Sequence, residues 1–592
     1  MPREQQNSPP SGDAIRLCDL LVVGSGAAGL STAVTAAILG LDVIVLEKER
    51  LLGGTSAWSG GWLWIPRNPL AQAAGIVEDL GHPRTYLRHE LGDGYDAARI
   101  DMFLEQGPRM VSFFERETAL AFIDGNVMPD FHGHVPGAGT GGRSVCAAPF
   151  DGRELGARLH DLKPPLDEIA PFGMGIASGA DLRHFLDATT AWRSFVHVAR
   201  RLLRHGWDLW RYGRGTHLVN GNALVARLLK SADDLGVRII KATPVQDLLV
   251  ERGRVVGARA LVDGTLQEIR ARRGVVLAAG GFPHDTARKA KLFPHAPTGR
   301  EHWSAAPESN TGDGIRLGER AGGVMRTDLT QAGAWAPVSL VPHADGSIGR
   351  YPHLIERAKP GLIMVDRTGR RFANEADSYH DVMTALFAAT PADQPAEAWA
   401  LCDRAFIRRY GLGRVRPWPF PQRPWLANGY LKRGKTIAAL AAACGLDPEA
   451  LVRTVEDYNR FAVRGEDPAF DRGGTPYNRI QGEARHRPNP CVAPLAAGPF
   501  YAVKIAAGSL GTFAGLKTDA YARVLDAQSR PIDGLYAVGN DMASVMAGRY
   551  PAGGITLGPA MTFGYVAAHH ASGIPLDNNR STITTIGDEH AL

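Results

Sequence analysis

Cysteine is scarce in this chain. Its 592 residues hold five, at Cys18, Cys146, Cys402, Cys444 and Cys491, scattered and odd in number. No CxxC pair and no His/Cys cluster occurs, so the spacing supports neither a disulfide framework nor a zinc site, and no metal is expected. The lack of a CxxCH run and of a cysteine cluster sets aside haem attachment and an iron–sulfur centre. Such usage fits a reducing cytoplasm. Charge is also modest. The formal net charge is +5, too small for this length to suggest nucleic acid binding. No apolar run reaches about 18 residues, so no transmembrane helix is expected. The stretch "MPREQQNSPPSGDAI" has no apolar core of the signal-peptide kind and reads as a disordered leader over residues 1–15. What remains is globular composition, 44% apolar and 21% charged, enough for two or three domains.

Glycine is plentiful, at 69 residues, without a collagen-like period. Residues 19–48 read "DLLVVGSGAAGLSTAVTAAILGLDVIVLEK". An apolar strand runs into Gly24-x-Gly26-x-x-Gly29, an Ala-rich helix follows, and a second strand ends in Glu47. A lone GxGxxG is weak, but here strand, helix and acid stand in the required order. Gly24 makes the tight turn, Gly26 lets the backbone approach a pyrophosphate at the helix N-terminus, and Gly29 lets helix and strand pack. Glu47 is placed to accept from a ribose hydroxyl. An ordinary Gly-rich turn is the competing reading. A second Gly-rich stretch, "GGTSAWSGGWLWIP" (53–66), suits a long cofactor continuing past its pyrophosphate. Much later, "GLYAVGND" (534–541) resembles the strand that carries a flavin ribityl chain. No second dinucleotide fingerprint appears, so FAD is favoured over NAD.

The fold class expected is α/β: a discontinuous Rossmann-like FAD-binding domain with an inserted α+β substrate domain. The first part spans 16–325, with a helical excursion at 70–215. The inserted domain spans 326–505, where the texture turns to Pro, Trp and other aromatics. The second part spans 506–575, and a polar tail covers 576–592. One patch, "FLDATTAWRSFVHVARRLLRHGWDLWRYGR" (185–214), is basic and Trp-rich. The default reading is a packed helix over the site whose arginine stems snorkel. A lipid-facing helix at the inner membrane surface is the alternative.

These motifs together resemble the fumarate reductase/succinate dehydrogenase flavoprotein superfamily, and within it the 3-ketosteroid dehydrogenases. The carrying residues are "VVGSGAAGL", "GGTSAWSGGWLWIP", "AAGGF", "TGDGIRL", "RTGRRFANEADSYHD" and "YPAGGITLGPAMTFGY". The resemblance implies Tyr379, after "RFANE", as the catalytic base, and Tyr550 with Gly554, in "YPAGG", as donors to a substrate carbonyl. It implies a cofactor set of Gly24, Gly26, Ala27, Ala28, Gly29, Glu47, Lys48, Gly54, Thr55, Ser56, Ser59, Gly60, Gly61, Val245, Ala279, Gly280, Gly281, Gly539, Asn540, Asp541, Gly554, Ile555, Thr556 and Leu557. Trp62, Phe131, His132 and Arg549 are expected at the substrate pocket. Two departures from the family pattern stand out. Phe131 falls where the steroid enzymes carry a third tyrosine, so His132 or another group substitutes, the base works unaided, or the substrate differs. Arg549 beside Tyr550 reads as a carboxylate binder or as a structural ion pair.

The chemistry is coherent on its own terms. Desaturation next to a ketone removes an α-proton and a β-hydride. A tyrosine base, with an ordinary pKa near 10, needs surroundings that favour its phenolate. A phenol O–H and a backbone N–H aimed at the carbonyl oxygen would hold its developing charge. The leading expectation is an FAD-dependent dehydrogenase of a ring ketone, a 3-ketosteroid first (1(2)- or 4(5)-desaturation) and smaller or carboxylated cyclic ketones second. Electrons leave to a quinone-like external acceptor. An ene-reductase of the fumarate reductase type and a flavin protein without turnover are the alternatives. The segment "GGTSAWSGG" holds no histidine, so FAD is expected to be non-covalent.

Overall fold

The computed structural model describes residues 17–576. The expected leader lies outside them, as does all but Leu576 of the expected tail.

The strand Leu17–Val23 turns through Gly24 into the helix Ala27–Ile38 and returns as the strand Val43–Leu46. Leu20, Leu21 and Val22 are fully buried. That is the mark of a parallel strand covered on both faces. Gly24 has φ +112°, and a Cβ there would fall 2.3 Å from the Ala278 carbonyl oxygen. No side chain can replace it without moving the neighbouring strand.

The central sheet has eight strands. Its main path runs Arg523–Leu525, Pro531–Ala537, Thr265–Leu277, Leu17–Val23, Val43–Leu46, Arg238–Ile240. The last five pair in parallel, while Arg523–Leu525 is antiparallel to its neighbour. Strands Val245–Glu251 and Arg254–Val262 extend it antiparallel along Thr265–Leu277. Residues from both ends of the chain therefore share one sheet. The C-terminal helix Leu557–Ser572 packs on Ala27–Ile38, and Gly564 permits the approach: a Cβ there would lie 2.6 Å from Ser31 Oγ.

Between these parts stands a six-stranded antiparallel sheet ordered Ile348–Pro352, Val338–Pro342, Phe500–Ala506, Glu397–Cys402, Leu362–Asp366, with Leu431–Gly434 also on Phe500–Ala506. Its strand Leu362–Asp366 precedes the "RFANEADSY" segment. Glu375 of that segment is buried and ties back to the strand, accepting from the Met364 N–H at 3.0 Å. Arg371 and Arg472 neutralise its carboxylate at 2.7 and 3.1 Å.

The helix Trp192–Tyr212 corrects the packed-helix reading of the sequence. Its buried residues are polar, Ser194, His205 and Asp208, and its large apolar side chains face outward.

Candidate active site

Two helices begin at the same buried region. Ala27–Ile38 starts from Gly26, and Leu557–Ser572 starts from Thr556. Neither N-cap residue caps its helix with its own side chain, and neither first turn holds an acid. Each end thus presents N–H groups and partial positive charge with no anion of the chain's own. A Cβ on Gly26 would meet only Ser56 Oγ, at 3.4 Å, so that face is open. Ser56 Oγ accepts from the Ala27 N–H at 3.0 Å. Glu47, at the end of the second strand, is held by the Ser25 N–H (3.0 Å) and hydroxyl (2.6 Å) on one oxygen and the Glu49 N–H (2.9 Å) on the other. This donor set fits a dinucleotide: an anion site, an oriented carboxylate for a sugar hydroxyl, and open glycine backbone between them.

The other residues of the expected cofactor set lie around this axis. The backbone ahead of Val245 runs beside the acid, Thr243 N–H donating to the Glu47 carbonyl at 2.8 Å. Thr55 Oγ1 accepts from Asn310 at 2.9 Å, and the same amide nitrogen lies 3.3 Å from the Gly280 carbonyl. Ser59 Oγ donates to the Ser56 carbonyl at 2.7 Å. Gly539, Asn540, Ile555 and Thr556 line a cleft with Thr512 and Phe513. Two side chains are engaged within the chain. Lys48 Nζ pairs with Asp313 at 2.5 Å. Asp541 is fully buried and accepts from the Ala279 N–H at 2.5 Å and the Gly281 N–H at 2.9 Å. Its carboxylate ties the two halves of the domain together. Burial pushes its pKa up to about 6, against the pull of those N–H groups.

Beyond the cleft stands a cluster of aromatic rings. Tyr379, first residue of the helix Tyr379–Ala389, lies edge-on to Tyr550, with ring centroids 5.0 Å apart. Phe131 meets both rings at 5.8 Å and Tyr477 at 4.3 Å. Phe513 and His380 pack on Tyr550 at 5.8 and 5.7 Å. Phe131 also braces the loop through its backbone, its N–H donating to the Pro551 carbonyl at 2.8 Å, where Tyr86 OH also donates at 2.7 Å. Gly554 has φ +101°, and a Cβ there would fall 2.6 Å from Trp64 N. Its carbonyl takes the Trp64 N–H at 3.1 Å, and its own N–H meets no acceptor among the described residues.

The electrostatics differ from the sequence expectation of a favoured phenolate. Burial holds Tyr379 well above its ordinary value, and neighbouring Tyr550 and Tyr477 add to this. Burial raises Tyr550 too, but hydrogen bonds with Tyr379 and Thr556 pull it back. Both phenols are therefore protonated at neutral pH. Arg357 opposes the rise at Tyr379. It is 2% exposed, and its guanidinium bonds the His353, Leu354, Glu375 and Asp377 carbonyls.

One pocket expectation is corrected. His132 does not assist the phenols: Nδ1 bonds Glu90 at 2.9 Å and Nε2 bonds Asp381 at 2.7 Å. Burial resists the charge, but these carboxylates prevail and push His132 up to about 10. The Trp62 ring lies over Gly60 and Gly125, and its backbone borders Gly554, where a Cβ would fall 2.8 Å from the Trp62 carbonyl oxygen. His380 takes the Trp335 N–H on Nδ1 at 3.1 Å, and burial pushes it down to about 4, so it is neutral. Arg549 is exposed. Its guanidinium has no hydrogen-bond or ion-pair partner among the described residues, and its charge reaches His380.

Sequence reasoning missed Tyr477 and Arg357. Their only sequence signal is indirect. Asn478 follows Tyr477 and bonds Asn374 and Asp377 of the "RFANEADSY" segment, each at 2.9 Å.

A model of the FAD binding domain family matches residues 19–557. The chain belongs to this family. It is 41% identical over 553 residues to the 4-oxocyclohex-2-ene-1-carboxylate 5-dehydrogenase of Sinomonas cyclohexanicum, covering 93% of each chain. It is 36% identical over 561 residues to the 3-oxosteroid 1-dehydrogenase of Mycolicibacterium smegmatis, covering 93% of this chain and 96% of the other. Among solved structures it is similar to 3-ketosteroid delta1-dehydrogenase from Sterolibacterium denitrificans in complex with 1,4-androstadiene-3,17-dione. There the TM-score is 0.87 and identity 35%, over 94% of this chain and all of the other. The chain is thus a 3-ketosteroid dehydrogenase-like flavoprotein, with FAD as cofactor. It is an oxidoreductase that dehydrogenates cyclic ketones.

Proposed function

We propose that the substrate is a cyclohexenone carrying a carboxylate, and that the enzyme forms a C=C bond α,β to its ketone. The observation that carries this reading is Arg549. An arginine with no carboxylate of its own, beside one of the two pocket phenols, is a fitting partner for an anionic substituent. The relative that acts on 4-oxocyclohex-2-ene-1-carboxylate supports the same choice.

In this mechanism Tyr550 O–H and Gly554 N–H hold the ketone oxygen, and their donors meet the negative charge that grows as the α-proton leaves. Tyr379 takes that proton in the fraction of the enzyme in which it is a phenolate, its own phenolic proton having already left to solvent. Substrate arrival gives the Tyr550 proton a new acceptor, the ketone oxygen. Phe131 and Tyr477 wall the site with apolar ring surface and exclude water. Bound FAD supplies the hydride acceptor for the β-carbon, and the two electrons pass on to an external acceptor of quinone type.

The test is anaerobic mixing of the purified yellow enzyme with 4-oxocyclohex-2-ene-1-carboxylate and, separately, androst-4-ene-3,17-dione. Bleaching of oxidised flavin by the carboxylate, with a product lighter by two hydrogens, is the expected result. With Arg549→Gln, KM for the carboxylate should rise about 10-fold or more, the worth of a charged hydrogen bond, while KM for its methyl ester stays level. Bleaching by the steroid alone would overturn the carboxylate reading.

A further inference from the structure

The helix Trp192–Tyr212 is built inside out for a water-facing element. Trp192, Leu203 and Trp210 are each 75% exposed, Trp207 is 60% and Phe195 51%. With Leu202 they form a stripe about 140° wide at about 100° per residue. The opposite face is polar and anchored. His197 and Arg201 both bond Asp181 at 2.7 Å, His205 bonds the Phe172 carbonyl at 2.9 Å, and Asp208 takes the Thr216 N–H at 2.9 Å. The apolar face therefore does not result from a loose helix. It is held outward by a polar network that is buried at His205, Asp208 and Thr216 and half-buried at Asp181, His197 and Arg201.

Charge is ordered along the same helix. Arg193, Arg200, Arg204 and Arg211 are all exposed and fall within about 40° of one another, along one flank of the apolar stripe. Arg204 has only a 4.0 Å contact with Asp151. Under the anchored face, Phe172, whose carbonyl bonds His205, is 63% exposed and packs on Phe420, with Arg416 over both rings at 5.5 and 5.8 Å. No described helix is long and apolar enough to cross a membrane.

We propose that this face docks the enzyme on a lipid bilayer bearing anionic headgroups. The helix lies in the plane of the interface, with its tryptophans and leucines in the acyl boundary and its arginine row on the headgroups. Apolar area and basic charge on adjoining flanks of one helix are what an interfacial helix combines, and tryptophan favours that depth. A protein partner would need no such row of cations beside a continuous Trp/Leu stripe. The inference stands on this surface alone and does not depend on which ketone is oxidised.

The experiment uses the full-length holoenzyme and sedimentation with vesicles of phosphatidylcholine, or of equal parts phosphatidylcholine and phosphatidylglycerol. Binding to the anionic vesicles, with a blue shift of tryptophan emission, is expected. Each arginine removed in the series Arg193→Gln, Arg200→Gln, Arg204→Gln, Arg211→Gln should weaken it about fivefold. Leu203→Ser with Trp210→Ser should abolish it, while ketone turnover with a soluble artificial acceptor is retained as the check on folding. Failure to sediment with anionic vesicles at low salt would overturn the proposal. So would light scattering that shows a dimer broken by the Leu203/Trp210 pair of changes, because the face would then cover a second copy of the chain.

Discussion

Tyr379 faces two opposing demands. It must lose its proton to act as a base, yet burial holds that proton on. The phenolate fraction below the pKa grows about tenfold per pH unit, so kcat at saturating acceptor should climb with pH from neutrality into the alkaline range. A flat profile over that range would show that proton removal is not limiting or not tyrosine-borne. Tyr379→Phe should lower kcat by about 10²- to 10⁴-fold while the bound-flavin spectrum stays unchanged. A residual rate within a few fold of the wild type would place the base elsewhere. Tyr379 and Tyr550 could be picked out in the sequence because short motifs flank them. Tyr477 and Arg357 could not, because their relation to Tyr379 is made by chain reversals with no local pattern.

At the scale of elements, the Glu90–His132–Asp381 bridge joins the Phe131 loop to the helix that Tyr379 begins. His132 titrates near 10 here against about 6.5 when unfolded. A raised folded-state value means its stabilisation is complete below pH 6.5 and fades as pH rises through 10. The Tm gap between wild type and His132→Gln should therefore be widest near pH 6 and close toward pH 10, read by thermal unfolding. A gap that stays constant with pH would mean that the imidazolium contributes nothing through its charge. Asp541 joins elements too, since two backbone N–H groups from the Ala279–Gly281 turn end on it. Asp541→Asn leaves one N–H facing an amide NH₂. It should cost about 1–3 kcal/mol, seen as a lower Tm and as flavin lost on gel filtration. Retention of both would mean that the turn holds without the carboxylate.

Over the whole molecule, one sheet collects strands from both ends of the chain and the other supports the tyrosine-bearing segment. In the proposed site FAD would be held where these parts meet. With no histidine in 53–61 to form a covalent link, heat or acid should release the flavin into the supernatant; a yellow precipitate would contradict this.

The sequence by itself determined the α/β class, the FAD fingerprint and the family, because each rests on contiguous residues. A βαβ turn must place glycine, helix start and acid at set spacings, and a motif around a tyrosine is read along the chain. Only the tertiary structure decided which groups the phenols face, that His132 is spent on two carboxylates, and that the Trp192–Tyr212 helix turns its apolar side to solvent. Helical periodicity reports that a helix has two faces. It does not report which face finds the rest of the protein, since that depends on partners such as Asp181 and Thr216 that folding brings beneath it.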